Sequence, residues 1–149
     1  MVKHPPVLSH NGRWLKRAPP NSQFYHVPEG VEVLDTNCFD ASRDTLIRVF
    51  LPDTLKKINC GAFWGLTKLE HVTLPASVIY LDNDVFYDCP ALKEIYIMGE
   101  PENYGPLCHN CPSVYKVMKK GRNILREAQS YEIRERGQCS LFDYDKAEA

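Results

Sequence analysis

Residues 51–97 read LPDTLKKINCGAFWGLTKLEHVTLPASVIYLDNDVFYDCPALKEIYI, and this stretch contains one pattern twice. In each copy a proline is followed eleven residues later by a phenylalanine, and a third copy precedes them with a period of 24 and then 23 residues. The three pairs are Pro28 and Phe39, Pro52 and Phe63, and Pro75 and Phe86. Self-similarity at a fixed period is typical of repeat architectures, so the chain is predicted to consist of stacked copies of one unit.

Apolar residues recur at matching positions in the three units. The columns are Val31, Leu55 and Val78; Leu34, Ile58 and Leu81; Phe39, Phe63 and Phe86; and the closing segments Leu46-Val49-Leu51, Leu69-Val72-Leu74 and Leu92-Ile95-Ile97. A single unit cannot cover its own apolar face, whereas stacked units share one continuous core. We therefore predict that the phenylalanines stack on one another, and that the closing segments pair as strands of a narrow parallel sheet.

Two weaker units flank the three clear ones. Residues 111–117 (CPSVYKV) match residues 89–95 (CPALKEI) at an offset of 22, although no phenylalanine stands at the position equivalent to Phe86. Residues 24–27 (FYHV) lie directly before Pro28 and match the closing strand of a unit whose beginning is lost. The predicted fold is therefore a mostly β or α/β-type solenoid of about four coils, three well formed and one degraded.

The two ends of the chain are predicted to cover the ends of the solenoid. The first 23 residues are rich in proline and basic residues, which favours an irregular cap and leaves a partner-binding arm as the alternative. Residues 120–136 place Ile124, Ala128 and Tyr131 on one helical face, which predicts a capping helix, with a docking helix as the alternative. The predicted segments are the N-terminal cap or arm at 1–23, the repeats at 24–119, and the C-terminal helix and tail at 120–149.

The repeat resembles the BspA-type leucine-rich repeat of bacterial and protist proteins over about residues 24–119. The residues that carry the resemblance best are Pro75, Val78, Leu81, Val85, Phe86, Cys89, Leu92, Ile95 and Ile97. The resemblance implies a curved, right-handed leucine-rich-repeat solenoid that binds another protein, because members typically act in adhesion or partner recognition. It implies no catalytic residues.

Charge and hydropathy narrow the classes of function. The chain has 18 Lys and Arg residues against 19 Asp and Glu residues, which gives no overall attraction to nucleic acid or to an anionic membrane. No apolar stretch approaches the ~20 residues that a membrane-spanning helix needs. The opening residues, MVKHPPVLSHNGRW, lack the apolar segment of a secretory signal. A cytoplasmic location with reduced cysteines is therefore expected.

No catalytic motif emerges from the sequence. The five histidines are scattered without a recurring Ser or Cys and acidic partner, and no glycine-rich nucleotide-binding loop is present. Cys108 and Cys111 have a spacing that suits zinc, but a structural zinc needs four ligands and no second such pair exists. Cys111 shares a repeat column with Cys89, which predicts neighbouring buried thiols, with a zinc site or a disulfide as alternatives. The chain is predicted to be no enzyme and to bind no cofactor or metal.

The outward residues of the predicted strands form columns that point to a binding face. The first column is His26, Phe50, Thr73, Tyr96 and Met118, and the second is Phe24, Arg48, His71, Glu94 and Lys116, with Tyr115 among the bordering residues. Aromatic residues and Met are enriched where protein partners bury surface, so the first column is predicted to be a protein-binding strip. Arg48, Glu94 and Lys116 are predicted to form its polar rim, and His71 and Tyr115 are also predicted to contact the partner.

Other functions stay open at this point. One alternative is that the ends of the chain, or a second copy in a homodimer, cover the strip. The chain is also consistent with an inhibitory or recognition factor from a pathogen, phage or mobile element that blocks a target protein. A third alternative is a homo-oligomeric structural component that pairs through the strand edge of the degraded fourth unit.

Overall fold

The computed structural model describes residues 4–103 and 105–129. Short strands dominate these residues. The first two coils contribute one strand to each of two faces, and the three later coils contribute one strand to each of three faces. The strands are β1 (Val7–Leu8), β2 (Trp14–Arg17), β3 (Phe24–His26), β4 (Val33–Leu34), β5 (Arg48–Phe50), β6 (Lys57–Ile58), β7 (Phe63–Trp64), β8 (His71–Leu74), β9 (Tyr80–Leu81), β10 (Phe86–Tyr87), β11 (Glu94–Ile97), β12 (Glu102–Asn103), β13 (Cys108–His109), β14 (Lys116–Lys119) and β15 (Arg122–Asn123). A 3-10 helix spans Asp40–Ser42, and the short helix α1 spans Leu125–Ala128.

The three faces are narrow sheets, and their strands run parallel except at two ends. The first sheet has the order β1-β2-β4-β6-β9-β12, the second β13-β10-β7, and the third β15-β14-β11-β8-β5-β3. The antiparallel strands are β1, which pairs with β2, and β15, which pairs with β14. The five parallel strands of the third sheet correspond to about five coils, so the predicted solenoid with a narrow parallel sheet is confirmed.

A column of phenylalanine rings forms the centre of the core. Phe39 and Phe63 stack with ring centroids 5.1 Å apart, and Phe63 and Phe86 with centroids 4.8 Å apart. All three side chains are fully buried. In the degraded unit Cys108 pairs in register with Phe86, which places a buried cysteine at the end of the ring column. The predicted stacking is thus confirmed.

Three successive coils turn at a residue with left-handed backbone conformation. Asn37, Gly61 and Asp84 have φ angles of 62°, 68° and 52° at the same position in successive coils. Their amides form a ladder from coil to coil, with Asn37 donating to Gly61 at 3.0 Å and Gly61 donating to Asp84 at 2.9 Å. Glycine, asparagine and aspartate tolerate this conformation best, which explains the residue types at this position.

The solenoid begins one coil earlier than the repeat pattern indicates. Leu15 in β2 is fully buried, and the amide of Ala18 donates to the carbonyl of Cys38 at 2.7 Å, which places alanine beside the position of Phe39. The prediction of an irregular cap over residues 1–23 was therefore wrong for β2 and the turn that follows it. The reason is that this coil lacks the phenylalanine on which the units were aligned.

The prediction of a helix over residues 120–136 was wrong for its first five residues, 120–124. Lys120 and Gly121 have φ angles of 50° and 73° and form the two-residue turn between β14 and β15. Two successive left-handed residues suit a tight hairpin and are incompatible with a helix, so α1 begins only at Leu125. Residues 130–149, which include the rest of that predicted helix and the predicted tail, lie outside the described residues.

Candidate functional site

The outward side chains of the third sheet form the two columns that the repeat predicts. Residues of β3 pair in register with β5, those of β8 with β11, and those of β11 with β14, while Arg48 of β5 pairs with His71 of β8. The first column therefore brings together His26, Phe50, Thr73, Tyr96 and Met118. The second brings together Phe24, Arg48, His71, Glu94 and Lys116. Alternate residues of the same strands point inward, and Val72, Ile95 and Val117 are buried in the core.

The first column exposes apolar surface that its neighbours only partly cover. His26 and Phe50 stack with ring centroids 4.3 Å apart and planes 13° apart. Phe50 is 40% exposed, while Tyr96 and Met118 are half-buried. Since the rings rest on a regular sheet, they are held in place before any partner arrives, which reduces the entropy lost on binding.

Glu94 is the electrostatic centre of the second column. Its carboxylate accepts a hydrogen bond from the Tyr96 hydroxyl, lies 3.3 Å from His71 Nδ1, and lies 3.8 Å from Lys116 Nζ. The hydrogen bond from Tyr96, together with contributions from Tyr115, Lys116 and His71, lowers the pKa of Glu94. The same hydrogen bond raises the pKa of Tyr96. Glu94 therefore fixes the orientation of the tyrosine in the first column.

A shallow groove of about 700 Å³ runs over the middle of this sheet. Of the predicted residues, those that line it are Arg48, Phe50, His71, Thr73, Glu94 and Tyr96. The predicted residues His26, Lys116, Met118 and Tyr115 lie on the same face but outside the groove lining. The structure thus brings six of the ten predicted residues into one concavity.

The groove residues that the site prediction did not include are Val49, Leu51, Asp53, Pro75, Ala76 and Met98. Asp53 and Met98 are the charged residue and the exposed large apolar residue among them. Both lie just beyond the ends of strands, outside the two outward columns. Met98 is 59% exposed and follows β11 at the position where the earlier units have Pro52 and Pro75. The replacement of a recurring proline by a large apolar residue was the signal that could have identified it.

A second row of rings lies on the second sheet. Tyr87 stacks on His109 with centroids 4.5 Å apart, and Trp64 meets Tyr87 edge-on at 5.9 Å. Tyr87 and His109 stack on each other across neighbouring coils, so their facing ring surfaces are occupied by this contact. We therefore assign them to the packing of the coils and not to ligand binding.

The described cysteines are buried thiols, as predicted for Cys89 and Cys111. Cys89 lies close to the carbonyl of Phe63, with its Sγ 2.9 Å from the oxygen, and the Cys111 Sγ lies 3.6 Å from the carbonyl oxygen of Phe86. A hydrogen bond between the two thiols, together with burial, raises the pKa of Cys89. Within residues 4–103 and 105–129, no cluster of three or more His, Cys, Asp or Glu side chains is arranged to hold a metal ion.

The part of the chain that the structure describes contains no helix with the length and apolar character required to cross a bilayer.

Comparison with known proteins identifies the repeat. The BspA type leucine rich repeat region matches residues 21–125 in six copies. No curated protein matches the chain by sequence. Three solved structures with 17–23% identity share its fold.

The first of these structures is a leucine-rich repeat protein from Eubacterium ventriosum, with 20% identity and a TM-score of 0.68, covering 76% of this chain and 31% of the other. The second is the pneumococcal vaccine antigen PcpA, with 17% identity and a TM-score of 0.60, covering 84% of this chain and 38% of PcpA. The third is a leucine rich cell surface protein from Faecalibacterium prausnitzii, with 23% identity and a TM-score of 0.54, covering 83% of this chain and 39% of the other.

This chain thus spans between 31% and 39% of the lengths of the solved structures that it matches. The family match covers most of the chain and includes the strands from β3 to β15. The chain therefore belongs to the BspA type leucine-rich repeat family.

Proposed function

We propose that the chain is a non-enzymatic protein-binding module that holds its partner in the groove of the third sheet. The observation that carries this proposal is the apolar surface within the groove, to which the exposed Phe50 and Met98 and the half-buried Tyr96 contribute. Aromatic residues and methionine are enriched at the centres of protein interfaces. Hot-spot residues cluster in concavities that lose their water when the partner binds, and Phe50 and Tyr96 lie in such a concavity.

The charged residues that line the groove indicate which charged groups the partner should have. Arg48 and Asp53 line the groove, and neither forms an ion pair with a described residue. Glu94, in contrast, already interacts with His71 and Lys116. The best-fitting partner is therefore a polypeptide segment with an apolar side chain over Phe50, an acidic group near Arg48 and a basic group near Asp53.

The experiment starts with affinity capture and mass spectrometry from the source cell, which identifies candidate partners. Each candidate is then purified and titrated against the chain and against the double variant Phe50→Ala with Tyr96→Ala. We expect an affinity loss of about thirtyfold or more, since hot-spot truncations cost about 2 kcal/mol or more. Circular dichroism and the melting temperature should stay nearly unchanged, because both side chains are partly exposed.

A matched control removes apolar surface elsewhere. Trp14 is 36% exposed and lies in β2, and Ile79 is 63% exposed and directly precedes β9. Both strands belong to the first sheet. The double variant Trp14→Ala with Ile79→Ala should bind the partner as the unmodified chain does. If the variant with Phe50→Ala and Tyr96→Ala binds the partner as tightly as the unmodified chain does, the groove is not the binding site.

The cytoplasmic location stays a prediction. One protein of similar fold is named as a cell surface protein, which is the competing location. Fractionation of the source cell, followed by immunoblotting with surface and cytoplasmic marker proteins, decides between the two locations.

A further inference from the structure

The third sheet has one closed end and one open end. At the closed end, β15 pairs with β14 through Met118 and Asn123 and through Lys119 and Arg122. This hairpin covers the strand edge of the degraded fourth unit, which was the edge predicted as an alternative site of oligomerisation. At the opposite end, β3 is the last strand, and no described residue pairs with its outer side.

The backbone groups that face the open edge follow from the pairing of β3 with β5. The Gln23 carbonyl accepts a hydrogen bond from the Ile47 amide at 2.8 Å, and the Val27 amide donates to the Phe50 carbonyl at 2.9 Å. In a strand, alternate residues direct their backbone groups to opposite sides. The amides and carbonyls of Phe24 and His26 therefore point away from β5.

This edge has only one of the protections that natural edge strands usually have, namely the short length of β3. Charged side chains, prolines within the strand and bulges normally discourage pairing at an open edge. Residues 23–27 read QFYHV and contain no Lys, Arg, Asp, Glu or Pro. Phe24 is 60% exposed, more than any other phenylalanine among the exposed large hydrophobic residues that the structure describes.

We propose that a second copy of this chain pairs with the open edge, with β3 antiparallel to β3 and Tyr25 on the two-fold axis. In this register Phe24 of one copy faces His26 of the other copy. Both residues direct their backbone groups outward, so each such pair exchanges two hydrogen bonds and the two pairs make about four. The interface is isologous, as expected for a two-fold dimer.

The side chains also match in this register. Phe24 and His26 lie on the same face of the strand, so each phenylalanine ring meets a histidine ring of the other copy. The chain already contains this kind of contact, because His26 stacks on Phe50 with centroids 4.3 Å apart. Because the edge contains no Lys, Arg, Asp or Glu, two copies can pair without placing like charges opposite each other. A strand with charged side chains would find no opposite charge on this edge, so a second copy fits it better. The dimer places the first column of each copy in line with the second column of the other copy, on one continuous sheet face.

Light scattering after size exclusion, at protein concentrations from micromolar to millimolar, measures the mass of the assembly. We expect a concentration-dependent rise from 17.1 kDa toward twice this mass, since three-residue strands bury little area. The variant Phe24→Lys should weaken dimerisation about tenfold or more, because it adds a charge to each copy of the edge. The control Ile79→Lys makes the same exchange at a residue that is 63% exposed and lies away from β3, and it should leave the dimer intact.

Amide hydrogen exchange of the unmodified chain tests the same contact without a substitution. We expect the amides of Phe24 and His26 to exchange more slowly as the concentration rises, while that of Tyr25, which faces β5, changes less. A monomer at every concentration would overturn the proposal. A dimer that Phe24→Lys leaves intact, with unchanged exchange at Phe24 and His26, would overturn it as well.

Discussion

Phe63 and Phe86 stack with ring centroids 4.8 Å apart and planes 19° apart, although they belong to different coils. Phe63 also meets Phe39 at 5.1 Å on its other side, so its ring contacts an aromatic neighbour on both faces. This position makes Phe63 the residue on which the continuity of the core depends most, because its removal separates the two outer rings.

Replacing Phe63 with Ala should lower the free energy of unfolding by about 3–5 kcal/mol, the range for truncation of a buried phenylalanine. Urea unfolding followed by circular dichroism measures the loss. The control is Phe50→Ala, which removes a ring that is 40% exposed and should cost clearly less. Equal losses for the two variants would contradict the central role of the ring column.

Replacing Gly99 with Ala should destabilise the chain by about 1–3 kcal/mol, as overpacking does. A Cβ atom at this position would lie 2.6 Å from the backbone carbonyl oxygen of Ala76 in the preceding coil. The control is Met98→Ala, because the neighbouring side chain is 59% exposed and its loss should stay within about 0.5 kcal/mol. A melting temperature for Gly99→Ala that equals the control would show that the coils separate more easily than we expect.

The variant Glu94→Gln should make stability less dependent on acid pH. The hydrogen bond from Tyr96 and the nearby Lys116 and His71 lower the pKa of Glu94 below its ordinary value of 4.5. The stabilisation from this carboxylate is therefore fully present above about pH 4.5 and is lost as the pH falls through the lowered pKa. Urea midpoints between pH 7 and pH 3 should fall more steeply for the unmodified chain. Parallel curves would contradict this assignment.

Cys38, Cys89 and Cys108 should resist alkylation by iodoacetamide in the folded chain at neutral pH. Burial raises the pKa of Cys38 and Cys108, and the hydrogen bond with Cys111 and burial raise that of Cys89, so little reactive thiolate forms. Peptide mass spectrometry measures the modification of each cysteine. The same reaction in urea, where every thiol is accessible, is the control. Rapid labelling of Cys89 or Cys108 before unfolding would show that this part of the core opens readily.

The repeat period was sufficient to predict the columns of the third sheet. Arg48, His71 and Glu94 lie side by side because equivalent residues of stacked coils must meet in register. The closing strand of the first coil was predicted at residues 24–27, but the beginning of that coil was missed because Ala18 stands beside the position of a core phenylalanine, and one small residue leaves no recognisable pattern. The turn at Lys120 was missed because the helical spacing of the following apolar residues outweighed a local backbone preference that periodicity does not detect.

The groove itself could be predicted only in part. Phe50 and Tyr96 follow from the strand pattern, whereas Asp53 and Met98 enter the groove through the course of the chain after the strand ends. That course depends on contacts between coils, such as the close approach of Gly99 to Ala76, which no spacing within one unit reveals.

The left-handed residues Asn37, Gly61 and Asp84 direct the chain from one coil to the next in the same way. Removal of residues 52–74 would join Leu51 to Pro75 and would leave the alignment intact on both sides of the junction. The groove would shorten by one strand spacing, about 4.8 Å, and keep the side chains of the remaining coils. The reach of the binding face and its chemical selectivity are therefore separate variables: whole-coil insertions or deletions set the first, and single outward substitutions set the second.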